Sequence, residues 1–139
     1  MSEWLVGQEG VADPIRSIYQ PPDIIGGSVV QVADFVLKCR NLDGENACVN
    51  GPFKGQYWMQ GLIYASIYNH LININEASCD NTSTSPVVHA ATVSSNHGAG
   101  ANVAMADGHA VFIKQSINIS IWRALGTRNG NEAISDSSY

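Results

Sequence analysis

Apolar runs flank one dipeptide near the C-terminal third of the chain. Asp107-Gly108 separates two such runs, and this dipeptide between strands favours a two-residue type I′ hairpin turn, which needs positive φ at both central residues. A two-residue turn places Val103 opposite Phe112. Period two then gives two largely apolar faces, made of Val103, Met105, Ala110 and Phe112 on one side and Ala104, Ala106, His109, Val111 and Ile113 on the other. We therefore expect a ribbon covered on both sides.

A short helix is predicted directly after this ribbon, in the run SINISIWRALG. Ser116 or Asn118 is its expected N-cap, and Gly126 its expected end. Its apolar stripe consists of Ile121, Trp122 and Leu125. The stripe predicts that Trp122 anchors the helix on the sheet.

Further elements are predicted upstream. EWLVG is predicted to be a short edge strand. Ser28 is the predicted cap of a helix from about 29 to 40. Apolar residues nearly encircle this helix, which indicates that it is sandwiched in the core. The β-branched and aromatic content around Gly61 favours two short extended segments there, and 87–93 is a further strand.

Together these elements predict an α+β fold: an antiparallel sheet of about four strands, one helix packed on it and a short C-terminal helix. The central strands 87–93, 102–106 and 109–114 would follow in meander order. That order aligns His89, Ala106 and His109 on one face, with the two histidines roughly 10 Å apart. They could not share a metal directly, although a substrate or water could bridge them.

Composition agrees with one domain over residues 1–139, because 45% of the residues are apolar and 14% charged. The net charge of −5 argues against nucleic-acid binding. No apolar run approaches the roughly 18 residues of a membrane span, and no targeting signal is visible. Three cysteines without a CxxC pair disfavour a zinc ribbon. They leave one disulfide with a free thiol, or three buried thiols.

The chain contains His97 followed, after nine residues, by Asp107-Gly108. This spacing resembles the H-x9-DG signature of prepilin-type processing-associated proteins. They are a bacterial family of uncharacterised pseudopilin-like proteins, abundant in planctomycete-type bacteria. The run IWRALGTRNGNEAISD is similar to that family's C-terminal run. The upstream pattern also matches, with Trp58, Gly61, Tyr68-Asn69-His70 and Cys79. Ser2-Glu3 resembles a strand from the middle of such proteins.

The resemblance implies a pseudopilin-like globular head, truncated at its N-terminus and lacking the processing site and long hydrophobic helix. It implies an extracytoplasmic location for the parent protein, with pseudopilin-like or secretion-system proteins as partners. The positions of Cys39 and Cys79 resemble recurrent family cysteines, so the resemblance implies that these two form the disulfide. Such a bond would tie the end of a helix to the loop before the sheet.

The two signature residues should have separate roles. Five strand residues at ~3.3 Å each place His97 and Asp107 about 17 Å apart. Unless the loop folds back, this distance excludes a shared metal, or a base with its orienting acid, within one subunit. Asp107 is expected to close an Asx-type turn. His97 is either packed in its loop, SSNHGAG, and bonded to backbone, or a ligand or base.

The segment TRNGNEAISDSSY offers the oxygen ligands that calcium prefers. These are Asn129, Asn131, Glu132, Ser135 and Asp136. A frayed polar tail is the alternative. Resemblance to major pseudopilins of secretion systems, which hold calcium in a C-terminal loop, favours the metal. Asp80 and Asn81 mark a second, weaker candidate for a calcium site.

Nucleophilic catalysis has little support, since the chain lacks a G-x-S-x-G elbow, an H-E-x-x-H motif and a P-loop. We expect a non-catalytic structural head, with calcium, if bound, serving stability. The alternative is a calcium- or metal-dependent hydrolase of a small ester or lactone, in which the metal polarises a carbonyl and His97, His109 or His89 activates water.

Overall fold

The computed structural model describes most of the chain, namely residues 2–7, 13, 15–20, 32–42, 48–49, 54–57, 59–63, 65–80 and 88–135. Within these ranges the chain forms two helices and two small sheets, so the predicted α+β class is confirmed. In chain order the elements are β1 (Ile18–Gln20), α1 (Val32–Arg40), β2 (Cys48–Val49), β3 (Ser78–Asp80), β4 (His89–Ala90), β5 (Gly100–Ala104), β6 (Ala110–Lys114) and α2 (Ile119–Leu125).

The first sheet has the strand order β2-β1-β3-β4. Strands β1 and β3 run parallel, whereas β2 and β4 pair antiparallel with their neighbours. Helix α1 contributes Phe35, Val36 and Cys39 to the core on this sheet, where Tyr19 and Cys79 are also buried. This core therefore joins segments that are distant along the chain.

Helix α1 buries one face only. Val32 and Leu37 are 51% and 58% exposed, whereas Phe35 is fully buried. The prediction of a sandwiched helix is therefore wrong, because the apolar residues that encircle α1 pack only where they meet the first sheet. The predicted cap, Ser28, lies outside the described residues.

The second sheet is the ribbon of β5 and β6, with Ala104 opposite Ala110 and Val103 opposite Val111. The backbone N–H of Gly108 donates to the carbonyl of Met105 at 3.1 Å, and that of Met105 donates to His109 at 2.8 Å. Gly108 has a φ of 95°. This is a three-residue loop ending in a left-handed glycine. The predicted two-residue turn is therefore wrong by one residue.

This shift of register decides which face of the ribbon is covered. Val103 and Ile113 are buried on one face, whereas Phe112 is 42% exposed on the other. Pairing with a three-residue loop brings Val103 opposite Val111 instead of Phe112, and a one-residue slip moves side chains between faces. The expectation of a ribbon covered on both sides is thus wrong.

Helix α2 packs on the covered face of the ribbon. Asn118 is its N-cap, with a side chain that accepts from the backbone N–H of Ser120 at 2.8 Å, and Gly126 is its C-cap. Trp122 is fully buried in the core with Val103 and Ile113. These contacts fix the helix at the end of the ribbon.

Residue 87 of the strand predicted over 87–93 lies outside the described residues, and the described part contains only β4, which pairs with β3 and not with β5. The predicted meander, and with it the alignment of His89 with Ala106 and His109, is wrong. After β4 the chain stays buried, and Ala91 and Val93 accept from the backbone N–H groups of Asn69 and Asn75. Those non-local bonds replace the expected ladder.

The strands predicted around Gly61 and at the N-terminus also differ from the observed structure. Around Gly61 the described residues form turns, in which the carbonyl of Leu62 accepts from Ala65, and one isolated bridge joins Ile63 to Ile67. At the N-terminus Ser2 forms an antiparallel bridge with Val103, so this segment lies along the edge of β5. Within the described ranges, no helix has the length and apolarity that crossing a membrane requires.

Candidate functional site

His97 joins the N-terminal segment to β5. Its Nε2 lies 3.0 Å from Oε1 of Glu3, and the Glu3 carboxylate also accepts from the backbone and side-chain amides of Asn102, at 3.1 and 2.8 Å. Hydrogen bonding from the Asn102 side chain is the main cause that lowers the pKa of Glu3 from 4.5 to about 2. Burial opposes this shift, whereas Ser95, the Asn102 backbone and the electrostatic effect of His97 add to it. The His97 ring thus bonds to a carboxylate instead of packing against its own loop.

Asp107 closes the hairpin loop. Its Oδ1 accepts from the backbone N–H of His109 at 3.1 Å and lies 2.6 Å from Nδ1 of the His109 ring. These bonds, the backbone one first, lower the pKa of Asp107. The carboxylate and the imidazole are therefore both used within the loop.

His89 lies in the other sheet. Its Nδ1 is 3.2 Å from Oδ1 of Asp80, which is directly opposite on β3. The three histidines predicted for catalysis thus pair with three different carboxylates: His89 lies on β4, His97 in the loop before β5 and His109 in the hairpin loop. Among the described residues, no three side chains of the metal-binding types His, Cys, Asp and Glu gather at one place. The catalytic assignment stays a prediction.

The C-terminal segment expected to hold calcium is described only as far as residue 135, so Asp136 lies outside. The carboxylate of Glu132 accepts from the Thr127 hydroxyl at 2.9 Å. Asn131 adopts a positive φ of 56°. Asn129 and Ser135 lie on the same irregular stretch, which has no helix or strand up to residue 135. The calcium site also stays a prediction.

Comparison with known families adds a finding to this geometry. A family model described as "Protein of unknown function (DUF1559)" matches residues 9–120, which is most of the chain. The chain belongs to the DUF1559 family. That family is the planctomycete-type, pseudopilin-like group of the H-x9-DG signature, so His97 and Asp107-Gly108 belong to a family pattern. No curated protein and no solved structure matches the chain.

A disulfide in this DUF1559 member joins Cys39 of α1 to Cys79 of β3, with 5.9 Å between the Cα atoms. It is the pair that the resemblance implies. The bond crosses the first core, where both cysteines are buried. It links the helix to the sheet at a sequence separation of 40.

Lys54 was not singled out by the sequence, because a lysine in a polar loop is normally solvated. Its side chain is instead 1% exposed, and Nζ donates to the carbonyl of Ile15 at 2.7 Å and lies 5.6 Å from the centre of the Trp4 ring. Burial lowers the pKa of Lys54 to about 7, against a smaller opposing effect of Asp13. In this DUF1559 member the lysine ties the N-terminal segment to residues near β1.

Proposed function

We propose that this DUF1559 member is a non-catalytic, pseudopilin-like globular head with a structural role in a secretion-associated assembly. The family match over residues 9–120 carries the proposal. The signature residues support it through their contacts, since His97 holds Glu3 and Asp107 closes the hairpin loop. Both therefore serve to hold the head together.

The proposed location is extracytoplasmic, with pseudopilin-like or secretion-system proteins as partners. Disulfides form and persist in oxidising compartments and are rare in the cytosol. The bond between Cys39 and Cys79 supports such a location.

We further propose that calcium, where bound, stabilises the C-terminal segment through oxygen ligands. Support comes from the chemistry of five residues within a short stretch: Asn129, Asn131, Glu132, Ser135 and Asp136. Amide, hydroxyl and carboxylate oxygens of this kind suit calcium, which takes six to eight oxygens in flexible geometry. Its role would be stability and not catalysis.

The structural role is tested in the source organism by cell fractionation and cross-linking. A photo-reactive amino acid replaces the exposed Phe112, and the products are identified by mass spectrometry; the buried Ile113 provides the matched control position. We expect the protein in the envelope or extracellular fraction, with light-dependent cross-links from position 112 to pseudopilin-like proteins. A cytoplasmic protein without such cross-links would contradict the proposal.

Catalysis is tested separately on the purified protein with chromogenic ester and lactone substrates. We expect no turnover above that of the variants His97→Ala and His109→Ala. Turnover that either variant abolishes, while the protein stays folded, would favour the metal-dependent hydrolase instead.

A further inference from the structure

An open cleft of about 550 Å³ lies beside helix α2, between the helix and the segment that precedes β3. Its volume falls within the range of small-molecule sites, roughly 300–1,000 Å³. The side chains and backbone that matter here are those of Tyr68, Asn69, His70, Arg123, Gly126 and Thr127. None of them belongs to the H-x9-DG signature, and none is one of the predicted calcium ligands.

Three hydrogen bonds hold the two walls of the cleft together. Nδ1 of His70 lies 2.6 Å from the carbonyl of Trp122, and the Trp122 indole donates to the carbonyl of Ile72 at 2.9 Å. The Arg123 guanidinium donates through Nη2 to the carbonyl of Leu71 at 2.8 Å. Because all three bonds join the helix to the upstream segment, they hold the two walls of the cleft in place without a ligand.

His70 lines the cleft, and its neutral ring has one hydrogen-bond acceptor. A carbonyl oxygen can only accept, so Nδ1 carries the hydrogen and the neutral ring keeps its lone pair at Nε2. The ring stacks on Trp122 with 3.8 Å between centroids. Burial lowers the pKa of His70, which favours the neutral ring. A Cβ atom on Gly126 would lie 2.6 Å from Cγ of His70, so glycine leaves room for this ring.

Arg123 supplies a positive charge at the mouth of the cleft. Among the described residues no carboxylate forms an ion pair with it. The guanidinium has five N–H donors, of which Leu71 takes one, so a bidentate contact to a carboxylate remains open. The Thr127 hydroxyl on the cleft donates to the Glu132 carboxylate at 2.9 Å, and Glu132 itself does not line the cleft.

We propose that this cleft binds a small organic acid, with its carboxylate on Arg123 and an adjacent hydroxyl or ammonium group donating to Nε2 of His70. The two polar groups differ in kind, one a cationic donor and the other a neutral acceptor. They therefore select a ligand that carries a carboxylate and a hydrogen-bond donor side by side. The proposed structural role does not depend on this site, so either proposal can fail alone.

Four small compounds of similar shape test this chemistry: lactate, alanine, propionate and lactamide. Each is titrated into the ¹⁵N-labelled protein while the indole N–H of Trp122 and the Nε–H of Arg123 are followed by NMR. We expect saturable shifts with lactate or alanine, and the tighter of the two identifies the donor as hydroxyl or ammonium. Propionate should bind at least about fivefold more weakly, since it lacks the donor. Lactamide should bind at least about tenfold more weakly, since it lacks the charge.

The variant Arg123→Gln should weaken binding of the preferred acid at least about tenfold. Arg128→Gln is the matched control, because Arg128 is an exposed arginine near the cleft that does not line it. We expect Arg128→Gln to leave the affinity within about twofold, as for a screened surface charge. Equal weakening by both variants would show general electrostatic attraction and overturn the site.

Three further results would overturn the proposal: no saturable shift with lactate or alanine, equal affinity for propionate, or equal affinity for lactamide. The four-compound comparison uses the unaltered protein. It therefore decides the question even if Arg123→Gln fails to fold.

Discussion

Single side chains of this molecule hold neighbouring segments together by short polar contacts. His97 binds Glu3, and Asp107 binds His109, so the two ends of the signature act separately. The sequence predicted this separation, because strand geometry places the two residues too far apart to act as a pair. It did not predict the partner Glu3, whose position beside β5 depends on the pairing of Ser2 with Val103.

The backbone conformation at position 108 should be the only reason that the hairpin loop requires glycine there. With a φ of 95° and no heavy atom within 4 Å of the place a Cβ would take, an alanine there meets strain but no clash. Gly98 has the same open space without a left-handed φ, and therefore provides the matched control. We expect Gly108→Ala to lower the free energy of unfolding by about 1–2 kcal/mol relative to Gly98→Ala. Urea denaturation measures both, and equal stabilities would contradict the loop geometry.

Glu3 should make the fold sensitive to acid. Its pKa is lowered to about 2 in the folded protein, so its stabilising contribution is fully present above 4.5 and is lost as the pH falls towards 2. We expect Glu3→Gln to be less stable than the parent protein at pH 6 and to lose less stability between pH 4.5 and 2. Thermal unfolding across this range measures the difference. Parallel pH profiles for the two proteins would contradict the contact.

Individual elements show which predictions the local sequence supports. Asn118, Gly126 and the apolar stripe of α2 act within a few residues, and the helix forms between them. The ribbon was also predicted, but Asp-Gly suits both two- and three-residue loops, and the register follows from the loop. Strand β4 was predicted with the wrong partner, because pairing with β3 is a non-local choice that alternation does not encode.

Trp122 should anchor α2 on the ribbon. It is fully buried and its indole donates to Ile72, so Trp122→Ala removes packing and leaves a buried carbonyl without that bond. We expect a loss of about 3–5 kcal/mol in the free energy of unfolding. Phe112→Ala, on the exposed face of the ribbon, should cost less than about 1 kcal/mol. Similar losses in chemical denaturation would contradict the assignment of the two faces.

At the scale of the whole molecule, two cores share one segment. Ile72 belongs to the core of the first sheet and Ile74 to the core of the ribbon, while Thr92 donates to the backbone of Asn73 between them. The sequence predicted only one sheet and missed the sheet built on β1 and β3. The parallel pairing of these strands forms between short, irregular segments that carry no strand pattern. The cleft is lined by Tyr68 and His70, and the His70 ring stacks on Trp122. Tyr68-Asn69-His70 are part of the family pattern in the sequence, but that pattern does not indicate a cleft.

The disulfide should stabilise the first core as a whole. A bond across a sequence separation of 40 removes loop-closure entropy from the unfolded chain, worth about 4 kcal/mol in the chain-entropy model. We expect a reducing agent to lower the melting temperature of the parent protein. The double variant Cys39→Ala/Cys79→Ala should already have this lower melting temperature without the reducing agent, and adding the agent should not change it. An equal response in both proteins would exclude this bond as the cause.

Calcium, if it binds the C-terminal segment, should stabilise the folded state by mass action, worth about 2.7 kcal/mol at a concentration of 100 times Kd. We therefore expect a chelator to lower the melting temperature and Asp136→Ala to abolish that response. Asp34→Ala, which removes an exposed carboxylate from α1, should respond like the parent protein. Unchanged melting of the parent protein with chelator would remove the proposed site.

Chelator treatment combined with an activity assay distinguishes a structural metal from a catalytic one. With structural calcium, any ester or lactone turnover should disappear only as the chelated protein unfolds. If turnover instead disappears at temperatures where circular dichroism still reports the folded state, the metal takes part in the reaction. In that case the hydrolase, with His97 or His109 as the base, would replace the structural role.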